Sequence, residues 1–435
     1  MARRFDASAP GFAEAWSAFL DERRGAPAAV DATVAEIIER VRAEGLPALL
    51  DYARRFDRVE LAEADLRVTA EEIEAGAARC PAEVREALAF AAARIRAYHE
   101  RQRPADAAWT DEAGVELGWR WTPLDSVGVY VPGGRAAYPS SVLMNVVPAM
   151  VAGVGRIAMV TPPGRLEPAV LAAAQVAGVS EIWRAGGAQA CAALAYGAGP
   201  IAPVDKIVGP GNAYVSAAKR RLYGVVGVDA LAGPSEILVV ADADNDPAWI
   251  AADLLSQAEH DPDAQSILIT DDPAFAATVE AAVEAQLATL STAAVARASW
   301  DRHGAVVIAP LDATPALVDA VAPEHAEFAV VDPDALSARV RHAGAIFLGR
   351  WTPEAVGDYV AGSNHVLPTS RAARFSSGLS VYDFLKRTSL LRCSPQAFAR
   401  LGPPTAALAD AEGLPAHARS AALRLGQRGG EGAAR

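Results

Sequence analysis

The chain is poor in the features that would set it apart from ordinary globular proteins. Cysteine occurs three times in 435 residues, at Cys80, Cys191 and Cys393. An odd, scattered set builds neither a disulfide framework nor a paired-cysteine metal knuckle, so all three read as buried apolar thiols. Long hydrophobic runs are missing too. The longest, Val142 to Val160, is interrupted by Asn145, Pro148 and Arg156, short of the roughly 20 apolar residues of a membrane span. Residues Met1 to Asp6 carry two arginines with no apolar stretch behind them, so no secretory signal is expected. Positive charge is in deficit, with a formal net charge of −13. That balance argues against nucleic acid or an anionic membrane as a partner, and the cytoplasm is the expected location. Neither GxGxxG nor HExxH occurs, and no internal repeat stands out.

What is present is a composition 52% hydrophobic, enough for a large core and two or three domains. Residues 1–24 read as an amphipathic arm. Residues 31–57 are mainly helical, because Val34, Ile37, Ile38 and Val41 keep a 3.6-residue period. From Ser126 to Leu348 short apolar segments alternate with helical ones, the pattern of doubly wound parallel sheets. The strands are too many for one simple sheet, so two α/β sheets are expected. After Gly378 the strands stop, and 381–388 and 395–426 read as a small helical tail, broken at Gly402-Pro403-Pro404 and at Gly413-Leu414-Pro415. The expected division is an arm (1–24), a discontinuous first α/β domain (25–129 with 236–378), a second α/β domain (130–235) and the tail (379–435).

Chemistry-bearing residues recur at the junctions. A helix beginning at Pro247, with Asp246 as its cap, ends in Ser256-Gln257-Ala258-Glu259-His260-Asp261-Pro262. Gln257 and His260 are three apart and share a helix face. They fit half a metal site, or a histidine bonding the last carbonyls of the helix; taken alone, the residues leave both open. Three strand-to-helix turns are glycine-rich: Val131-Pro132-Gly133-Gly134-Arg135, Gly186-Gly187-Ala188-Gln189 and Gly209-Pro210-Gly211-Asn212. Each by itself is an ordinary tight turn. Together at the carboxyl edge of one sheet they favour a nucleotide or phosphate-bearing ligand. Glu324 and His325 are adjacent, a carboxylate beside an imidazole that titrates near neutral pH, which suits a base and proton shuttle as well as a surface pair. Ser235 follows Gly233-Pro234, Asp358 lies in Gly357-Asp358-Tyr359, and Glu412 and His417 flank the bend in the tail.

These motifs, with Tyr138-Pro139-Ser140-Ser141, Pro323-Glu324-His325-Ala326-Glu327 and Asn364-His365-Val366-Leu367-Pro368-Thr369, occur in an order that resembles the histidinol dehydrogenase family from about residue 30 to about residue 425. The resemblance implies an α/β protein with two incomplete Rossmann-like parallel-sheet domains and a helical C-terminal tail. It implies a homodimer whose tail completes the partner's site. One Zn²⁺ per site would be bound by Gln257, His260 and Asp358 of one chain and His417 of the other. Tyr130, Gln189 and Asn212 match NAD-contacting positions. Ser235, Gln257, His260, His325, Asp358, Glu412 and His417 match positions around the substrate. The implied reaction is a four-electron oxidation of L-histidinol to L-histidine by way of L-histidinaldehyde, with His325 as general base and Glu324 activating water. Rival readings are a relative acting on another polar alcohol, a zinc hydrolase using Glu324, and a non-catalytic binding protein.

Overall fold

In a computed structural model the chain is described over residues 2–22, 28–133, 138–164, 166–230 and 233–426. Gly134, Arg135 and the last residues of the tail lie outside the described segments. Two units form: residues 1–102 with 124–384, and residues 103–123 with 385–435.

The first unit holds two six-stranded sheets. In one, strands Glu236–Ala241, Gln265–Thr270, Ala305–Ile308, His325–Ala329 and Ala345–Leu348 run in parallel, in the spatial order third, second, first, fourth, fifth. The other repeats that order with Ser126–Tyr130, Arg156–Thr161, Glu181–Arg184, Lys206–Val208 and Gly227–Val228. Each sheet gains a sixth strand from the N-terminal region. Arg3–Asp6 pairs in parallel with Ala305–Ile308, and Arg67–Val68 pairs antiparallel with Glu181–Arg184. The expected fold class of two incomplete Rossmann-like sheets therefore holds.

Period-two alternation places the core. Along Glu236–Ala241 every residue is buried: Ile237 and Val239 pack with Ile250, Leu254 and Val279, while Leu238 and Val240 share the other layer with Ile269, Val318 and Phe328. Trp16 and Phe19, from helix Phe12–Asp21, complete the second of these layers. The segment read as an arm thus supplies both an edge strand and core aromatics. Helix Ala28–Glu44 packs Val34, Ile37 and Val41 against Ala190 and Leu194 of the second sheet's layer. The expectation had grouped 25–129 with 236–378. Strand pairing instead puts Arg67–Val68 and Ser126–Tyr130 in the other sheet.

The second unit corrects the expectation of a purely helical tail. Leu385–Cys393 is a strand, antiparallel to Val115–Pro123, which also pairs with Ala107–Thr110. Its partner lies some 270 residues earlier, so local propensity could not reveal it. Helix Pro395–Ala411 runs through Pro403 and Pro404 and stops before Gly413. It packs on helix Pro415–Gly426, and a Cβ at Gly402 would lie 2.8 Å from the Leu425 side chain, so tertiary contact sustains the helix where two prolines remove N–H donors. Among the described residues no helix is long and apolar enough to cross a membrane. Cys80 and Cys191 are buried as expected, whereas Cys393 is only partly so.

Candidate active site

The centre of the site is the end of helix Pro247–Ala258. Asp246 caps its start, accepting from the Ala248 N–H at 2.8 Å. Gln257, in the last turn, is fully buried. Its Nε2 donates to Glu354 Oε1 at 2.7 Å, and its Oε1 has no partner among the described residues. His260 follows just past the helix, exposed on the single chain. The protein around its ring lowers its pKa by desolvation, partly offset by the charges of Asp358 and Glu259. The neutral ring keeps a nitrogen lone pair for a metal.

Asp358 comes from helix Glu354–Tyr359. Burial works against its charge, yet the nearby His325 and His365 rings hold the carboxyl well below the usual range. Glu354 sits one turn earlier and is 2% exposed. Burial, then the Asp358 charge, pushes it up to about 8. Behind it, burial and the Asp253 carboxyl push Glu327 up to about 9.

His325 opens strand His325–Ala329 and pairs with Ile237 on one side and Ala345 on the other. It is 3% exposed. Its Nδ1 lies 3.0 Å from the Glu236 carbonyl oxygen, which only accepts, so Nδ1 carries the proton. Among the described residues Nε2 has no hydrogen-bond partner, and it stands 3.5 Å from Asp358 Oδ1 and 3.7 Å from Glu354 Oε1. Desolvation opposes the imidazolium, but Glu324 and Asp358 outweigh it and raise His325 to about 10. Glu324 Oε2 accepts the Glu236 N–H at 2.9 Å, and burial lifts this carboxyl to about 7. Ser235 immediately precedes Glu236, the strand's first residue, whose N–H and carbonyl hold Glu324 and His325.

The donor chemistry fits a zinc ion. An unpartnered amide oxygen, an imidazole and a carboxylate gather at one helix end, the neutral and anionic donors zinc takes. His325, Glu354 and Asp358 also each bring a ligand-capable atom to within 4.8 Å of one another. Glu412 and His417 lie in the second unit, both exposed, where its two helices meet. Sequence reasoning missed Glu354 and Glu327. The available signal was spacing: Glu354 is four residues before Asp358, and Glu327 is two after His325.

The glycine turns assemble at the carboxyl edge of the second sheet, where such folds bind ligands. Tyr130 ends strand Ser126–Tyr130, and its phenol oxygen accepts the Gly187 N–H at 3.0 Å. Burial raises that phenol well above its ordinary value. Gly187 has φ +63, and a Cβ there would lie 2.7 Å from Gln189 Oε1. Gly209 (φ +108) approaches Tyr130 so closely that a Cβ would meet its carbonyl oxygen at 2.2 Å. Asp229 Oδ2 accepts the Gly209 N–H at 2.8 Å, Lys219 donates to the Gly209 carbonyl, and Lys219 and Asp229 pair at 2.6 Å with side chains 2% and 4% exposed. This clamp was not read from sequence. Asn212 caps helix Ala213–Leu222 through Oδ1, which accepts from the Tyr214 and Val215 N–H groups at 3.0 and 3.2 Å. Only its Nδ2 remains for a ligand. The carboxyl edge of the first sheet is different: its crevice, about 780 Å³, is lined by Asp242, Asp271, Asp312 and Asp332 over Leu311 and Leu336, and holds none of the candidate site residues.

The family model described as histidinol dehydrogenase matches residues 21–425. The histidinol dehydrogenase of Caulobacter vibrioides is 77% identical over 423 residues, covering 97% of this chain and 99% of its own. That of Rhodospirillum rubrum is 59% identical over 429 residues, covering 98% and 99%. The crystal structure of histidinol dehydrogenase from Elizabethkingia anophelis superposes with a TM-score of 0.93 at 34% identity, covering 98% of this chain and 99% of that one. Fold and site together define an α/β dehydrogenase built on two parallel sheets. The chain belongs to the histidinol dehydrogenase family.

Proposed function

We propose that the protein catalyses the NAD⁺-dependent oxidation of L-histidinol to L-histidine through L-histidinaldehyde. The observation that carries this reading is the state of His325: Nδ1 is committed to a backbone carbonyl, while Nε2 is unpartnered and faces the cluster of Gln257, Asp358 and Glu354. With its pKa raised to about 10, such a ring becomes free to take a proton at Nε2 as the pH turns alkaline. Gln257, His260 and Asp358, with His417 of the partner subunit, would hold one Zn²⁺, which supplies fixed anchorage for the imidazole and amine of histidinol and no redox change.

His325 takes the hydroxyl proton as hydride leaves for the first NAD⁺. Glu324, buried and lifted to about 7, takes a proton from the water that adds to the aldehyde. The hydrate then gives its hydride to a second NAD⁺. One alcohol, one water and two NAD⁺ give one carboxylate, two NADH and three protons. Tyr130, Gln189 and Asn212 line the nicotinamide dinucleotide, while Ser235 and Glu412 complete the substrate contacts with the zinc ligands. A homodimer follows from this reading, since His417 and Glu412 of the tail (379–435) serve the partner's site.

The test is NADH formation from L-histidinol at alkaline pH, with and without a chelator. Two NADH per histidinol, lost on chelation and regained with zinc, is expected. Absence of NADH formation with histidinol but turnover of another polar alcohol would assign the protein to a different substrate. Glu324→Gln separates the two half-reactions: it should spare alcohol oxidation and slow aldehyde oxidation. The reverse pattern would overturn its role.

A further inference from the structure

We infer that Glu354 is a positioning residue for the metal, forming a carboxylate–amide–metal chain through Gln257. This rests on the reading of Gln257 as a zinc ligand. Glu354 Oε1 accepts from Gln257 Nε2 at 2.7 Å, and Ser256 Oγ lies 3.0 Å from the other carboxylate oxygen. Both side chains that meet are almost sealed from solvent, with Gln257 at 0% and Glu354 at 2% exposure. Ser256 Oγ gives its own hydrogen to the Asp253 carbonyl at 2.7 Å, so it can accept the proton that a pKa of about 8 leaves on the nearer Glu354 oxygen, and Oε1 stays an acceptor in either protonation state. Glu354 therefore fixes the amide with its NH₂ toward itself and its oxygen toward the opposite side. That oxygen is the one buried Gln257 atom with no protein partner.

A glutamine is an unusual choice of ligand unless something settles its direction. Its amide has two nearly equivalent orientations, and only one presents oxygen. No other contact decides between them: the approach of Nε2 to His325 Nδ1 is 3.5 Å, and that nitrogen already directs its proton to Glu236. Glu354 removes the choice. By accepting an amide hydrogen it also draws positive charge to the nitrogen and leaves more negative charge on the oxygen, as carboxylates behind ligating histidines do. Ser256, one residue before Gln257, fixes the carboxylate in turn. The same contacts argue that Glu354 is not itself a ligand, although one of its oxygens stands within 4.8 Å of ligand atoms of His325 and Asp358. Both of its oxygens are engaged by Gln257 and Ser256.

The experiment is a double-mutant cycle on zinc affinity, measured by competition with a chromophoric chelator on the full-length dimer. Glu354→Ala and Gln257→Ala should each weaken zinc binding by about 10–100-fold. The double variant should bind zinc no more weakly than Gln257→Ala alone, because Glu354 acts only through Gln257. Penalties that multiply in the double variant would overturn the inference and make Glu354 a ligand in its own right. Unchanged affinity in Glu354→Ala would also overturn it. If Glu354→Ala does not fold, Glu354→Gln keeps volume and one acceptor without the charge. It should bind zinc several-fold more weakly than wild type, and equal affinity would overturn the proposal. Wild-type affinity in Gln257→Ala would instead remove the ligand assignment on which the inference stands, a result recognisable without any Glu354 variant.

Discussion

The Nδ1 of His325 donates to the carbonyl oxygen of Glu236 at 3.0 Å, across two neighbouring parallel strands. Backbone geometry therefore selects the tautomer, and Nε2 is the basic nitrogen. His325→Asn can keep a donor to that carbonyl but has no Nε2. It should lower kcat by about 10²–10⁴-fold with a smaller effect on the KM for histidinol, measured by NADH absorbance. A kcat within threefold of wild type would exclude His325 as the base.

His417 stands in the first turn of helix Pro415–Gly426, exposed on this chain. In the proposed shared site it supplies the fourth zinc ligand from across the dimer. His417→Ala should lower zinc retention during dialysis against chelator while leaving the thermal transition of the metal-free protein unchanged. Unchanged zinc content would end the shared-site reading.

Lys219, on helix Ala213–Leu222, and Asp229, just after strand Gly227–Val228, hold both backbone groups of Gly209. Lys219→Met leaves Asp229 buried and uncompensated, at a cost of about 3–5 kcal/mol, readable by urea denaturation. Because the Gly209 turn leads into Asn212, the KM for NAD⁺ should rise more than kcat falls. A loss of stability with an unchanged KM would make the pair purely structural.

Glu327 gives a pH signature. Burial, Asp253 and Glu354 raise its folded pKa from 4.5 to about 9. Between these values the unfolded chain loses this proton and the folded chain keeps it. Stability must then fall as pH rises, by up to about 1.4 kcal/mol per pH unit from this group. In the chelated, metal-free protein, Glu327→Gln should flatten the decline between about pH 5 and pH 9. A slope as steep as wild type would show that the carboxyl is ionised in the fold.

Most of the fold was legible because alternating apolar strands and helices leave a local imprint, as in Glu236–Ala241 followed by Pro247–Ala258. Gly227–Val228 was missed because two residues carry no period. The other missed strands, Arg3–Asp6, Ala107–Thr110 and Leu385–Cys393, lack that imprint. They lie outside the strand–helix alternation, and Arg3–Asp6 and Leu385–Cys393 pair with residues far along the chain. The site divides the same way. Gln257 and His260 announce themselves by helical spacing, and Glu324 and His325 by adjacency. The Glu354–Gln257 bond and the Lys219–Asp229 clamp are made by the fold, and nothing in 97 residues of separation predicts a 2.7 Å contact.

The two sheets share one strand order but carry their candidate sites at opposite ends. In the first, helix Pro247–Ala258 brings its carboxyl terminus to the Gln257 cluster, so its peptide dipoles point their negative end at the place proposed for a cation. In the second, helices Gly187–Tyr196 and Ala213–Leu222 bring their amino termini, the positive ends, to the turns proposed for a dinucleotide pyrophosphate. One β–α architecture, turned end for end, thereby offers a field for a metal and a field for a phosphate without changing its topology.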